Sequence, residues 1–233
     1  LIYQSNRPAY QALKRKIVEG DIPFGAPISV KSLEAEISSS AIPIREALIA
    51  LAAEDVIDCY PGKGFFNKRL DVESVTLRLE FLENLMLASA ATFPDTRRSV
   101  LRKRLNQDGL RSRATADQIF DNVTMVSEIF DTYFAHPTAI FTRAAIAQCA
   151  RYLLLDEQLA GGDGRRLWKS VCTYFWLASG QSAHKLNAEI NAFFEIRKRR
   201  VPEIIEELKE HEMLHASSMF SSAVLDATIT TRL

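Results

Sequence analysis

The chain carries no excess of either charge: 29 Lys and Arg offset 29 Asp and Glu across 233 residues. That balance excludes a non-specific coat for polyanions, which is strongly basic. Cysteine is scarce. Cys59, Cys149 and Cys172 are far apart and odd in number, with no Cys-x-x-Cys pair and no disulfide framework. This usage fits a reducing cytoplasm, and core packing is expected of each. No run reaches the roughly 18 uncharged apolar residues of a membrane span, so no membrane partner is expected. Because the sequence starts at Leu1, a targeting segment removed upstream stays open. There is no G-x-x-x-x-G-K phosphate loop and no evident nucleophile–base pair, so an enzyme is not the leading expectation.

What is present changes character near Leu70-Asp71. Residues 1–70 read as short helices followed by a strand-like patch. Residues 71–233 have helical period almost throughout, with few Gly or Pro. Asp71 suits the N-cap of the helix that opens the second part. The predicted architecture is mainly α. A winged helix-turn-helix (three helices plus a β-hairpin, residues 1–70) precedes an all-α bundle of six or seven helices, residues 71–233.

Arg7 to Glu19 reads as a helix with Tyr10, Leu13 and Ile17 on one face. Ser29 can cap a second helix, Val30 to Ile37. Ser38-Ser39-Ser40 then leads into a compact third helix. Ile44, Ala47, Leu48 and Leu51 make its apolar stripe, and Ile42, Arg45 and Ile49 form a second row. Pro43 falls in its first turn, where a missing N–H costs little. Val56 to Asn67, turning at Pro61-Gly62-Lys63-Gly64, reads as a hairpin. Residues 1–70 hold nine Lys or Arg against eight Asp or Glu, so any claim of DNA binding rests on geometry.

The pattern suits a major-groove reader. Ser40 and the free N–H groups of the helix start can meet phosphates, and Arg45 can reach guanine O6 and N7. Lys31 and Lys63 can clamp neighbouring phosphates, while Gly62 and Gly64 let the turn approach the backbone closely. From periodicity alone, an ordinary three-helix packing unit with a solvated Arg explains the pattern equally well.

In the second part, a helix from Asp71 to about Thr92 has an apolar stripe at Val75, Leu82 and Met86. Pro94-Asp95 starts another, basic on its surface. A long helix is expected over about Thr115 to Ala135, and Pro137 opens one toward Leu159. Gly161 to Gly164 reads as a loop. Helices near 165–179, 182–198 and 201–222 follow, the last opened by Pro202. Trp168, Tyr174, Phe175, Trp176, Phe193 and Phe194 are expected in core or dimer packing, with an effector pocket as the sharper reading. Arg197-Lys198-Arg199-Arg200 reads as a solvated helix end.

Residues 10–69 resemble the winged-helix domain of GntR-family bacterial transcription regulators. The resemblance runs through Ile17-Val18-Glu19-Gly20-Asp21, Pro23, Gly25, Ser40, Pro43-Ile44-Arg45-Glu46-Ala47-Leu48, Leu51 and Gly62-Lys63-Gly64. It implies a homodimer on a near-palindromic operator of double-stranded DNA, with Lys31, Ser40, Arg45, Gly62 and Lys63 at contact positions. Ala41 and Ile42 belong to the same contact row but depart from the pattern. The family usually has Arg or Lys in place of Ala41 and often Thr in place of Ile42, so one charged contact is missing. Ile42 can at most touch a thymine methyl. Asp55 replaces the usual Gly before the hairpin.

Residues 71–220 resemble the FCD domain, the ligand-binding domain of the FadR-like branch. That resemblance implies a repressor modulated by a small-molecule effector, an organic acid. It also implies a divalent metal, Zn or Ni, held by one Asp and three His. Ser127 stands for the Asp, Asp131 for the first His and Asn187 for the next, and His211 alone keeps its type. The ligand set is therefore incomplete. Asp131, Asn187 and His211 remain candidates for a weak metal site or for effector contacts. Two alternatives stand beside the regulator: a metal-dependent enzyme built on the bundle, and a regulator-derived interaction module that has lost DNA binding.

Overall fold

The fold is taken from a computed structural model that describes residues 8–107, 119–134, 136–159, 165–180 and 183–230. Of residues 210–230 only the helical backbone is described. Nine helices and one three-stranded sheet occur among the described residues.

The first cluster forms around α1 (Pro8–Glu19), α2 (Val30–Glu36) and α3 (Ala41–Ala53). Pro8 opens α1, where its missing N–H is no loss. Gly20 closes it at φ +89°, with its N–H and that of Asp21 both reaching the Lys16 carbonyl. Ser29 caps α2 by accepting from the Ser32 N–H. The predicted stripe of α3 is its buried face: Ile44, Leu48 and Leu51 are fully buried, and Ala47 nearly so. These meet Leu13 and Ile17 of α1 and Ile57 of the sheet. Each such side chain stabilises the fold by about 1.5–3 kcal/mol relative to exposure.

The hairpin is β2 (Ile57–Tyr60) and β3 (Gly64–Asn67), paired from Ile57–Asn67 to Tyr60–Gly64. The sequence shows no sign of a third strand. The structure adds β1 (Pro27–Ile28), which pairs antiparallel with β3, giving the order β1-β3-β2. Two residues, one of them Pro, are too short for a period-two signal. Buried Asn67 holds this corner by donating from Nδ2 to the Ile22 and Pro23 carbonyls. Cys59 corrects the expectation of core packing: it is exposed on edge strand β2, while Cys149 is buried as expected. The side chain of Cys172 lies outside the described residues.

The second cluster spans α4 (Val72–Ala91), α5 (Asp95–Gln107), α6 (Ile119–Tyr133), α7 (His136–Leu159), α8 (Arg165–Ala178) and α9 (Ala183–Thr230). Asp71 caps α4 in a reciprocal box with Ser74. Val75, Leu79 and Leu82 turn inward, and α4 packs on α7 and α9. Phe130, Phe134, Tyr174 and Phe175 interlock with ring centroids 4.4–6.2 Å apart. On α5, Arg97 donates to the last carbonyls around α6, and Arg98 to those of Ala178 and Gly180 after α8. Those cations compensate carbonyls that a helix end leaves open. The Gly161–Gly164 loop expected from the sequence lies outside the described residues.

The tail of the chain corrects two expectations. The helices near 182–198 and 201–222 are one helix, α9, with Pro202 inside it. Leu186, Ile190, Phe194, Arg197, Val201, Ile204 and Ile205 form one buried stripe that runs past the proline. A mid-helix proline costs about 3 kcal/mol, and three well-buried aliphatics beside it offset that. In consequence Arg197-Lys198-Arg199-Arg200 is not a helix end. Arg197 and Arg200 pair with buried Asp156, and Lys198 pairs with Glu83 of α4. Arg199 alone of the four is largely exposed.

Candidate functional site

The outer face of α3 carries Ile42, Arg45 and Ile49 at successive turns. Ile42 is 72% exposed and Ile49 59%, unusual values for isoleucine, and Arg45 is exposed between them. Pro43 and the buried Ile44–Leu51 stripe fix the helix from behind. The chain then turns at Tyr60-Pro61-Gly62-Lys63, closed by the Lys63 N–H on the Tyr60 carbonyl at 3.0 Å. Gly62 takes φ +74°, which the third position of such a turn demands after Pro61. Nothing lies within 4 Å of where a Cβ on Gly62 would stand, so the tip is open to a partner surface.

Arg45, Ile49 and Lys63 line one cleft of about 380 Å³, whose floor is Pro27, Ile28, Val30 and Phe65. Lys31 follows Val30 in the chain and is exposed. Ser40 is the N-cap of α3, yet its side chain makes no cap hydrogen bond. The capping oxygens of Ser29 and Asp71 are both committed to backbone N–H groups. The Ser40 hydroxyl and the first N–H groups of α3 are thus available to an anion. Ala41 is half-buried and adds no polar group.

Charge is distributed unevenly around this face. Lys14 pairs with Glu54, Arg15 with Glu19, Lys16 with Asp21 and Glu36, and Lys68 with Asp55 and Asp58. Lys31, Arg45 and Lys63 make no ion pair among the described residues, and nor does Arg69, which packs over Gly25. A nearly neutral segment therefore presents a local cationic face, because Lys14, Arg15, Lys16 and Lys68 are neutralised internally while Lys31, Arg45 and Lys63 are not.

The back of the winged helix rests on the bundle. Glu54, at the C-cap of α3, accepts from Tyr10 Oη at 2.7 Å, and its carbonyl accepts from Gln148 Nε2 of α7 at 2.8 Å. Burial and the adjacent Glu54 carboxylate push the Tyr10 hydroxyl well above its ordinary range. Asp55 takes φ +57°, the left-handed position where the family pattern has Gly. Its carboxylate pairs with Lys68 and, at 2.9 Å, with Arg78 of α4. The Arg151 guanidinium of α7 lies 5.3 Å from the Phe24 ring, and Ala147 of α7 is buried in the first cluster. Sequence reasoning missed Glu54, Gln148 and Arg151. Their partners lie far away in the chain, so no local pattern announces them.

Within the bundle, α4, α6, α7, α8 and α9 enclose a cavity of about 420 Å³, walled by Phe130, Tyr174, Phe175, Phe193 and Phe194 among others. Four of the six aromatics singled out from the sequence therefore reach it. Trp176 instead lies under Arg102, 4.9 Å away, and the side chain of Trp168 is outside the described residues. The metal candidates do not line this cavity. Asp131 is exposed on α6 and paired with Arg143 at 2.9 Å, and Asn187 is exposed on α9. The side chain of His211 lies outside the described residues. Among those described, no three His, Cys, Asp or Glu come together to hold an ion. Asp131, with the Arg143 guanidinium on its carboxylate, does not fit a cation.

No helix among the described residues is long and apolar enough to cross a membrane. Residues 6–66 match the family described as "Bacterial regulatory proteins, gntR family". A Streptomyces ambofaciens protein described as an uncharacterized HTH-type transcriptional regulator in an unstable DNA locus is 30% identical over 90 residues. That match covers 39% of this chain and only 38% of the relative. The Listeria monocytogenes protein Lar, described as controlling expression of the agr system, aligns over 86% of this chain and 92% of its own. Its TM-score is 0.38 at 16% identity. A putative regulator from a Rhodococcus species aligns over 92% and 96%, with TM-score 0.34 and 14% identity. Scores this low leave the fold to rest on its own elements. Residues 6–66, whose described part folds as a winged helix, thus match the gntR family of bacterial regulatory proteins.

Proposed function

We propose that this chain is a sequence-specific, DNA-binding transcription regulator of the cytoplasm, acting as a repressor. In this reading residues 1–70 are the DNA-binding domain. Residues 71–233 are an FCD-like domain of the FadR-like branch that dimerises and binds an effector. The observation that carries the reading is the trio Lys31, Arg45 and Lys63. They are left without ion pairs around the exposed face of α3, while Lys14, Arg15, Lys16 and Lys68 are neutralised. Arg45 reads a base edge from the groove. Lys31, Lys63, Ser40 and the α3 N-terminus hold phosphates on either side and set the register. Ala41 supplies no charge, so more of the reading falls on Arg45.

The bundle cavity is the effector site in this reading, and α7 connects it to the reader. Ile146, Ala150, Leu153 and Leu154 of α7 line the cavity. Ala147, Gln148 and Arg151 of the same helix hold the winged helix. A ligand that moves α7 by a fraction of a turn changes the pose of α3. In a homodimer the two readers must match half-sites about one helical turn apart, so a small rotation is enough to weaken operator binding.

The test is selection of bound duplexes from a random library by the purified full chain, followed by titration of the enriched sequence. A near-palindromic consensus with salt-dependent affinity is expected. Absence of any enriched sequence overturns the reading and favours the interaction module.

A further inference from the structure

We infer that the bundle cavity takes an uncharged, largely apolar ligand with a flat ring system, in place of the organic acid that the family resemblance implies. The inference rests on the reading of the cavity as the effector site. It follows from how the polar groups of the wall are used. Tyr174 Oη donates to the Met86 carbonyl at 3.1 Å. Thr173 Oγ1 donates to the Lys169 carbonyl at 2.9 Å, and Ser170 also has a partner. Tyr174 and Thr173 thus have no proton free for an anion, while their oxygens can still accept from a neutral donor.

The one buried cation at the wall is Arg197, and its charge is already balanced by buried Asp156. Its Nη1 donates to the Phe193 carbonyl at 3.1 Å, and its guanidinium lies 3.5 Å from the Phe193 ring centroid. Its Nε faces Asp156 Oδ2 at 3.5 Å, close enough for charge but without a hydrogen bond. Asp156 and Glu157 are both nearly fully buried beside it. A carboxylate brought to Arg197 would compete with one buried acid and face a second. Burying an anion without a free counter-charge costs far more than apolar burial returns. The remaining charged members, Lys169 and Glu189, are exposed at the rim and opposite in sign.

What the interior does offer is ring surface. Phe130, Tyr174, Phe193 and Phe194 present faces and edges suited to offset or edge-on contact with another ring. The volume of about 420 Å³ lies in the range of small-molecule sites.

The experiment uses the full chain and three probes: N-phenyl-1-naphthylamine, which is uncharged; its anionic relative 1-anilinonaphthalene-8-sulfonate; and citrate. The uncharged probe is expected to bind saturably with a blue-shifted emission, at least about tenfold tighter than the sulfonate. Citrate should neither displace it nor raise the thermal midpoint. Ala192→Trp places a bulky ring at an exposed lining position of α9, where folding is not at risk. It should weaken probe binding at least about tenfold with little change in thermal midpoint. Lys185→Gln, at an exposed position of α9 outside the lining, should leave binding of the uncharged probe unchanged. Failure of the uncharged probe to bind overturns the inference. So does insensitivity to Ala192→Trp, or tighter binding of sulfonate or citrate that Lys169→Gln abolishes. Operator affinity is measured separately on the same protein. Failure of these probe results with intact operator binding defeats only the ligand class. A bound probe that leaves operator affinity unchanged defeats the effector reading instead.

Discussion

On the proposed function, Arg45, Lys63 and Ile42 make three different kinds of contact from one face, and they should fail differently when removed. Arg45→Ala is expected to cost about 1–3 kcal/mol of operator binding and to relax preference at one base pair. Lys63→Ala should weaken all sequences alike and lower the salt slope by about 1. Anisotropy titrations against matched and mismatched duplexes at several salt concentrations separate the two. If Ile42 meets a thymine methyl, changing that thymine to deoxyuridine should weaken the natural protein and leave Ile42→Ala unaffected. Equal responses of the two proteins would remove Ile42 from the reading. Asp71 shows a residue acting through a cap. The Ser74 N–H holds its carboxyl below the usual carboxylate range. Its contribution is therefore present above the unfolded pKa and is lost as pH falls through the lower folded value. Asp71→Ala should cost about 1 kcal/mol near neutrality. Asp71→Asn should keep most of that stability while losing its acid dependence, as read by denaturant melts across the acidic range. The Asp71 cap and the exposed placement of Arg45, Lys63 and Ile42 were legible in the sequence because each depends on neighbours within one helix or turn. Glu54 could not, since its meaning comes from Tyr10 and Gln148, 44 and 94 residues away.

At the scale of elements, the stripes that alternate with helical period became helices where expected, and the Pro-Gly turn became the wing. The misplaced helix boundary has a clear physical source: tertiary packing overrode a local signal. Pro202 reads as a helix start because local energetics favour one there. The structure instead carries α9 straight through it, held by Val201, Ile204 and Ile205. The Lys198 carbonyl consequently lacks its helical N–H partner. Pro202→Ala restores that bond at an exposed position and is expected to stabilise the chain by about 2 kcal/mol, the helix gain less the added freedom of the unfolded chain. A raised midpoint in thermal or denaturant unfolding checks it. A lowered one would show that a bend at Pro202 is required by the packing. Strand β1 escaped notice for the reverse reason, being two residues defined wholly by their partner strand.

For the whole molecule, the proposed coupling between cavity and reader has a few contacts to run through, and each can be cut singly. Gln148→Ala removes the α7 bond to the Glu54 carbonyl, and Arg78→Ala removes the α4 ion pair with Asp55. Neither residue lines the cavity or the α3 face. Each variant should keep its operator affinity and its cavity affinity while the ligand-induced change in operator affinity shrinks. Linkage requires the reciprocal effect of DNA on ligand binding to shrink equally, so titrations in both directions check the result. An unchanged coupling factor would place the route elsewhere. The internal pairing of half the described cations in the winged helix has a consequence of its own for such a regulator in a cell. Each unpaired cation on a DNA-facing surface releases counterions from any duplex, right or wrong. A reader that shows only three around its recognition helix releases few, so the vast stretch of irrelevant sequence holds it weakly. Fewer copies are then sequestered away from the operator, and a small pool of molecules suffices to keep one promoter occupied.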